Sequence, residues 1–339
     1  MSDNVAVLDE ETVDQIDAEA ADGNESEPSA PETPSSGKNI SRWEYTRREM
    51  KRKWAGYVMV GPFLLMFSVF TILPVVVSIF LSFTNFNMLE LPEFCFFDNY
   101  IRLFLEDDLF LTAFQNTMIF AITTGPLSYI LSFLLAWFIN ELSPRVRAFV
   151  TFIFYGPSIS GSAYLVWKLI FQGDIYGLAN GVLMKIGLIS KPIVFFQNVD
   201  YIGPLCIVVA IWTSLGTSFL SFIAGLQGVD KSLYEAGAVD GVRNRWQELW
   251  YITLPSMKSI LMFGAVLAIT NAFGFGGVVN NLCGNPSTDY CAWTLQHHMA
   301  DFLNSRYEVG YASCISIILF LLMFGSNLLI KNALGKVGK

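Results

Sequence analysis

Charge is scarce in this 339-residue sequence: Asp, Glu, Lys and Arg make up 15% of it, against 53% apolar and 15% aromatic residues. A soluble globular domain carries roughly a quarter of its residues as charges, so that class is excluded and a membrane protein is expected. The charge that is present is unevenly spread. Residues 1–37 hold eleven acids and no Lys or Arg, so the net charge of −8 becomes +3 once they are set aside. Such a stretch, rich in Asp, Glu, Ser, Pro and Ala, cannot bury enough apolar surface to order itself and reads as a solvated, disordered tail.

Charges all but stop in six runs, near 55–84, 110–140, 148–171, 203–227, 259–281 and 309–330. Each is long enough to cross about 30 Å of hydrocarbon as a helix rising about 1.5 Å per residue. Pro62, Pro74, Pro126 and Pro157 fall inside these runs, where membrane helices tolerate kinks. The first run begins only after residue 53 and has no small-residue cleavage site, so it reads as a retained anchor and not a removed signal peptide. The expected organisation is an acidic tail at 1–37, a basic juxtamembrane segment at 38–54, a six-helix domain at 55–332 and a basic tail at 333–339.

No segment matches GxxxxGK[ST], whose backbone amides and Lys would cradle phosphates, so the chain does not hydrolyse ATP by that route. None of the six runs contains Asp or Glu, which disfavours simple proton coupling but leaves sodium sites built from backbone carbonyls open. The only histidines, His297 and His298, have no Cys or carboxylate partners at metal-ligand spacing; they read as solvated loop residues, and no metal site is expected. Lys168, near the end of the third run, can snorkel to the headgroups or serve the pathway. Of five cysteines, Cys206 and Cys314 lie in spans and read as small apolar residues. Cys283 and Cys291 flank a Gly-, Asn- and Pro-containing loop that would let them pair as a disulfide on an oxidising side, with Cys95 as a third candidate partner.

Lys and Arg mark the cytoplasmic flanks of membrane proteins. With the N-terminus inside, sixteen of them fall on the cytoplasmic side and four on the other, so both termini are expected in the cytoplasm. The polar loop at 230–256, between the fourth and fifth runs, is then cytoplasmic.

Within that loop, Glu235, Ala236, Gly237, Gly241, Ile252, Leu254 and Pro255 resemble the EAA loop of ABC importer permeases, with Asp240 and Trp246 alongside. The match departs from the pattern twice: Gly237 stands where the second Ala is usual, and ten residues instead of nine separate Gly241 from Ile252. Further strings, DNYIRL at 98–103, Asn116-Thr117, YGLAN at 176–180 and Trp246-Gln247, are similar to the six-span MalF-like permeases of carbohydrate importers.

The resemblance implies an all-α polytopic protein with the type I ABC importer (MetI-like) permease fold, sited in a bacterial plasma membrane. It implies a short coupling helix in the loop and a chain that performs no bond chemistry. It also implies a second homologous permease, two ATPase subunits that hold the ATP and Mg²⁺, an extracellular solute-binding protein, and no bound cofactor or nucleic acid.

A sugar has an apolar ring face and many hydroxyls, so a pathway for it calls for aromatic, amide and hydroxyl groups. Trp212, Ser214 and Thr217 in the fourth run and Asn271, Phe273 and Phe275 in the fifth are the candidates, beside the alternative that such residues merely pack helices closely. A phosphate ester such as a glycerol phosphodiester stands as the alternative solute, and an ATP-independent secondary transporter as the alternative class.

Overall fold

The computed structural model describes Trp43, residues 50–161 and residues 163–334. The acidic tail at 1–37 and, apart from their inner edges, the basic segment at 38–54 and the tail at 333–339 lie outside the described residues. Of the described residues, those up to Met66 fall in one unit and those from Phe67 in another. Helix α1 (Trp54–Phe67) fills most of the described part of the first. Its exposed residues include the apolar Tyr57, Met59, Phe63, Leu65 and Met66, a composition suited to a lipid environment.

The second unit opens on a π-turn, Ser68–Ile72, that runs on into α2 (Leu73–Leu81), with Pro74, which cannot donate back to the preceding turn, just past it. Helix α3 (Asp98–Leu105) follows, then the 33-residue α4 (Asp108–Asn140), whose first turn is capped by the Asp107 carboxylate accepting from the Phe110 N–H. Next come α5 (Pro144–Ile159), α6 (Ala163–Ile170) and α7 (Leu178–Lys185). Helices α8 (Val199–Thr213) and α9 (Thr217–Gln227) precede α10 (Lys231–Val239) and α11 (Arg245–Glu248). A π-turn at Leu249–Thr253 joins α11 to α12 (Leu254–Ser256), and α13 (Lys258–Phe273), α14 (Gly276–Cys283), α15 (Leu295–Asn304) and α16 (Val309–Leu334) complete the chain. Among the described residues the only β pairing is an isolated bridge between Thr84 and Phe94.

Among the described residues four helical stretches, Gly56–Leu81, Asp108–Asn140, Val199–Gln227 and Val309–Asn332, are long and apolar enough to cross a membrane. Two bent pairs bring the number to six if each is one span: Pro144–Ile159 with Ala163–Ile170, bent by 88°, and Arg245–Ser256 with Lys258–Phe273, bent by 82°. The third run, expected as one helix over 148–171, is therefore broken after Ile159. Its break falls in a Ser- and Gly-rich stretch, where backbone freedom and competing side-chain hydrogen bonds both work against the helix. The fifth run, expected as 259–281, divides likewise at Gly274.

Helix α4 is the axis on which the second unit is built. It packs against α8, α9, α13 and α15, and its buried side chains enter four clusters, Ala121 joining Ile269, Ala272 and Phe273 in one and the other three being spaced along its length. Phe110 and Ala113 join Leu295, Phe302, Tyr311 and Ile315 at one end; Phe120 joins Ile202, Val209, Phe275 and Val279 in the middle; Phe133, Ala136 and Ile139 join Phe219, Phe222 and Leu261 at the other. Lipid tails are as apolar as these side chains, so close packing has to supply the association, and small residues set the distance. Gly264 on α13 is the clearest case: a Cβ there would overlap the Phe222 ring, which is itself held edge-on by Tyr129 and Phe133. Gly264→Ala is expected to destabilise the purified protein by roughly 1–3 kcal/mol through overpacking. Combining it with Phe222→Leu should recover part of that loss, and strictly additive effects in a thermal-unfolding double-mutant cycle would show the two sites uncoupled.

Candidate functional site

The polar loop folds into a small helical unit at the Asn140 end of α4. Asp230 caps α10 by accepting from the Ser232 N–H at 3.0 Å, so the helix starts ahead of Glu235, which sits in its second turn and not at its N-terminus. The helix ends in a Schellman motif: the Val242 N–H donates to the Gly237 carbonyl at 2.9 Å and the Gly241 N–H to the Ala238 carbonyl at 3.3 Å. Gly241 takes a φ of +93°, which a side chain would strain. Asn244 then caps α11 through the Trp246 N–H.

The extra residue between Gly241 and Ile252 has a structural counterpart in the π-turn at Leu249–Thr253, where the Leu254 N–H donates to the Leu249 carbonyl. A π-turn spends one residue more than an α-turn, so it absorbs an added residue while keeping the next helix in phase. Leu249 and Thr253 are thereby buried, while Trp250 and Tyr251 are exposed. Gly237 is buried against Ile252: an added Cβ would lie 2.5 Å from Ile252 Cδ1, so the glycine makes room for that side chain.

Several contacts hold the unit together and to α4. The Tyr234 and Thr253 hydroxyls lie 2.9 Å apart and join its two ends. Arg245 bridges Glu248 within the unit and Glu141 just past α4, at 2.9 and 2.8 Å. Trp246 packs on Trp137 of α4 with ring centroids 5.1 Å apart, and Leu254 packs against the cluster that holds Phe133 and Leu261. Glu235, Ala236, Asp240, Trp246 and Pro255 remain exposed.

A cavity of about 450 Å³ lies nearer the middle of α4. Three helix breaks open onto it: Ile159–Gly161 between α5 and α6, Ser214 and Gly216 between α8 and α9, and Gly274–Phe275 between α13 and α14. Non-helical backbone at membrane depth is tolerated where it lines such a space, because carbonyls and amides freed from the helix can be satisfied there. Ser214, Asn271 and Phe275, all expected on a pathway, line it, with Phe275 stacked on Phe120 at 4.0 Å. Trp212 and Phe273 do not: Trp212 faces Trp167 at 5.5 Å and Phe273 is buried with Ile269 and Ala272. The Thr217 side chain lies outside the described residues. Sequence reading missed Thr124, Ser128, Tyr155 and Tyr164, which also line the cavity. A spaced series of small hydroxyl residues in the second run, Thr117, Thr124, Ser128 and Ser132, was the available signal.

At the opposite end of α4 the histidines are not solvated: His297 and His298 are 2% and 1% exposed, because α15 packs onto α4 and α16. The Trp293 indole, which can only donate, donates to His298 Nδ1, so His298 carries its proton on Nε2 and gives it to Asp107 at 2.8 Å. Tyr311 donates to the same carboxylate oxygen at 2.7 Å. Burial raises the Asp107 pKa, but the hydrogen bonds from His298, Tyr311 and the Phe110 amide outweigh it and bring the group down to about 2. His297 accepts the Thr294 N–H on Nδ1, and burial lowers its pKa to about 4. No His, Cys, Asp and Glu grouping among the described residues is arranged to hold a metal ion.

The Cys283–Cys291 bond is not formed. Both thiols are free, and Cys283 Sγ lies 3.8 Å from Cys206 Sγ, since α14 packs directly on α8. Lys168 is exposed in the last turn of α6 and does not line the cavity.

An all-α membrane bundle with a polar cavity at its helix breaks and a helical unit folded on one end of its central helix is a transport permease component. The family of binding-protein-dependent transport system inner membrane components matches residues 128–337, and the chain belongs to it. It is 28% identical over 293 residues to the probable ABC transporter permease protein YesP of Bacillus subtilis, covering 85% of this chain and 92% of that one. It is 28% identical over 288 residues to the lactose transport system permease protein LacF of Rhizobium radiobacter, covering 82% and 94%. A chain in the crystal structure of a bacterial ABC transporter involved in the import of the acidic polysaccharide alginate shares the fold with a TM-score of 0.71, at 24% identity over 87% of this chain and 100% of that one.

Two measurements probe these assignments. Deleting Tyr251 should turn the π-turn into an α-turn and leave the unfolding temperature near that of the parent protein, whereas deleting Ala238 moves Gly241 out of the positive-φ position that closes α10 and should lower it. Because the folded pKa of Asp107 is depressed from 3.8, its stabilisation is complete above the unfolded value and is lost as pH falls toward about 2. Thermal midpoints should therefore drop across that window in the parent protein, and Asp107→Asn should be less stable at neutral pH and flatter below pH 4.

Proposed function

We propose that the chain is the membrane-spanning permease subunit of an importer for a sugar or oligosaccharide, powered by ATPase subunits that dock on the Tyr234–Pro255 unit. The observation that carries this reading is the position of that unit, clasped to α4 through Arg245, Glu141 and the Trp137–Trp246 contact, and continuous in sequence with α9 and α13. The C-terminal end of α8, the middle of α4 and the C-terminal end of α13 all reach the cavity.

Closure of the ATPases would move α10 and α11, and α9, α13 and α4 would move with them, opening the cavity to one side and then the other. The exposed Trp246, Trp250 and Tyr251 offer an aromatic docking surface of the kind partner proteins cover. The basic flanks support the orientation with the unit and both termini in the cytoplasm. A second permease would complete the pathway, and an external binding protein would deliver the solute to the face that carries α15. The lactose assignment of the LacF relative and the hydroxyl-rich cavity support a carbohydrate.

Replacing Glu235 by Lys and Ala236 by Glu together should abolish most uptake by the assembled transporter while leaving the permease folded, since both are exposed on α10. Unimpaired uptake together with unimpaired ATPase association would sink the proposal.

A further inference from the structure

The hydrogen-bond polarity of the cavity points to a narrower class of solute. Five hydroxyls in its wall have already committed their protons to their own helices: Thr124 to the Phe120 carbonyl at 2.7 Å, Ser128 to Gly125 at 3.1 Å, Ser158 to Tyr155 at 2.7 Å, Thr213 to Val209 at 3.0 Å and Ser214 to Ile211 at 2.8 Å. A hydroxyl has one proton and two lone pairs, so each of these presents only acceptor capacity to the cavity. No Asp, Glu, Lys, Arg or His is among the described lining residues. Side-chain donors are confined to the Asn271 amide, the Tyr155 and Tyr164 phenols and Ser160, while the N–H groups of Ser160, Ser214, Gly216, Gly274 and Gly277 at the helix breaks already donate to carbonyls.

An ionised carboxylate or phosphate accepts hydrogen bonds and cannot give them, so in this wall it would have only those few neutral donors to set against five acceptor-only hydroxyls, and no countercharge. An ionised group taken out of water without a partner is the costliest thing a site can hold. A neutral sugar reverses the balance: every hydroxyl has a proton to offer the acceptors, and its apolar ring face can lie on Tyr155 or Tyr164. We propose that this cavity selects uncharged saccharides and rejects uronates and sugar phosphates, the acceptor-rich wall formed by Thr124, Ser128, Ser158, Thr213 and Ser214 being the discriminating element. The inference rests on the reading of the chain as a saccharide permease.

The test uses the assembled transporter in detergent without its binding protein, so that the membrane pathway discriminates and the variants below assign the effect to this chain. Saturation-transfer NMR is recorded with a neutral hexose trisaccharide and with a uronic trisaccharide of equal length at neutral pH. The neutral sugar should bind at least roughly tenfold more tightly. Asn271→Lys, at an exposed position of the wall, should raise the relative affinity for the uronic trisaccharide, and Thr213→Lys should do the same from the facing helix. Equal or tighter binding of the uronic trisaccharide by the parent protein overturns the charge selection and leaves the saccharide reading intact. Signals from neither trisaccharide in the parent protein or the variants overturn both.

Discussion

The constraint on which the rest of this structure depends is that backbone polar groups inside a bilayer must be satisfied by protein or by enclosed water. A continuous helix meets it by itself, and α4 does so for 33 residues. Three other spans do not: each is interrupted where Ser, Gly or both make the helix least favourable. Interruptions at membrane depth can persist only around a shared space, and the three that face α4 converge on one cavity. The fold thus gathers its weak points in one place, and that place is the one with chemistry to offer.

The same helix joins the two ends of the molecule. Its first turn is anchored by Asp107, whose carboxylate draws together α15 through His298 and α16 through Tyr311. Its last turn meets the Tyr234–Pro255 unit through Trp137, with Glu141 just beyond it. The Arg245–Glu141 pair is largely exposed and contributes little to stability on its own. Its worth is geometric, because together with the stacked tryptophans and the Tyr234–Thr253 hydrogen bond it ties a polar unit to a helix whose middle lines the cavity. In a membrane, where helices gain nothing from being driven out of water, such fitted contacts decide which helices move together.

The class of the chain and its six apolar runs were legible from charge alone, since few sequences keep about 20 residues free of ionisable groups unless hydrocarbon surrounds them. The polar unit was legible as well, through Gly241, Ile252, Leu254 and Pro255, because a glycine at positive φ and a proline in a first turn are demanded locally. Its added residue looked like a defect in spacing, and only the π-turn at Leu249–Thr253 gives it a place. The cavity was half legible. Ser214, Asn271 and Phe275 were found by residue type, but type cannot say which way a side chain turns on a helix, and Trp212 and Phe273 went to neighbouring packing clusters.

Properties that depend on neighbours in sequence could be read without a structure: hydrophobic length, the sidedness of Lys and Arg, caps and turns. Properties that depend on neighbours in space could not. The burial of His297 and His298, the meeting of Cys283 with Cys206 instead of Cys291, and the convergence of three helix breaks all arise when distant segments pack on α4. Burial, tautomer and cavity polarity are set by those contacts, because each is a property of the space between helices and not of any one helix.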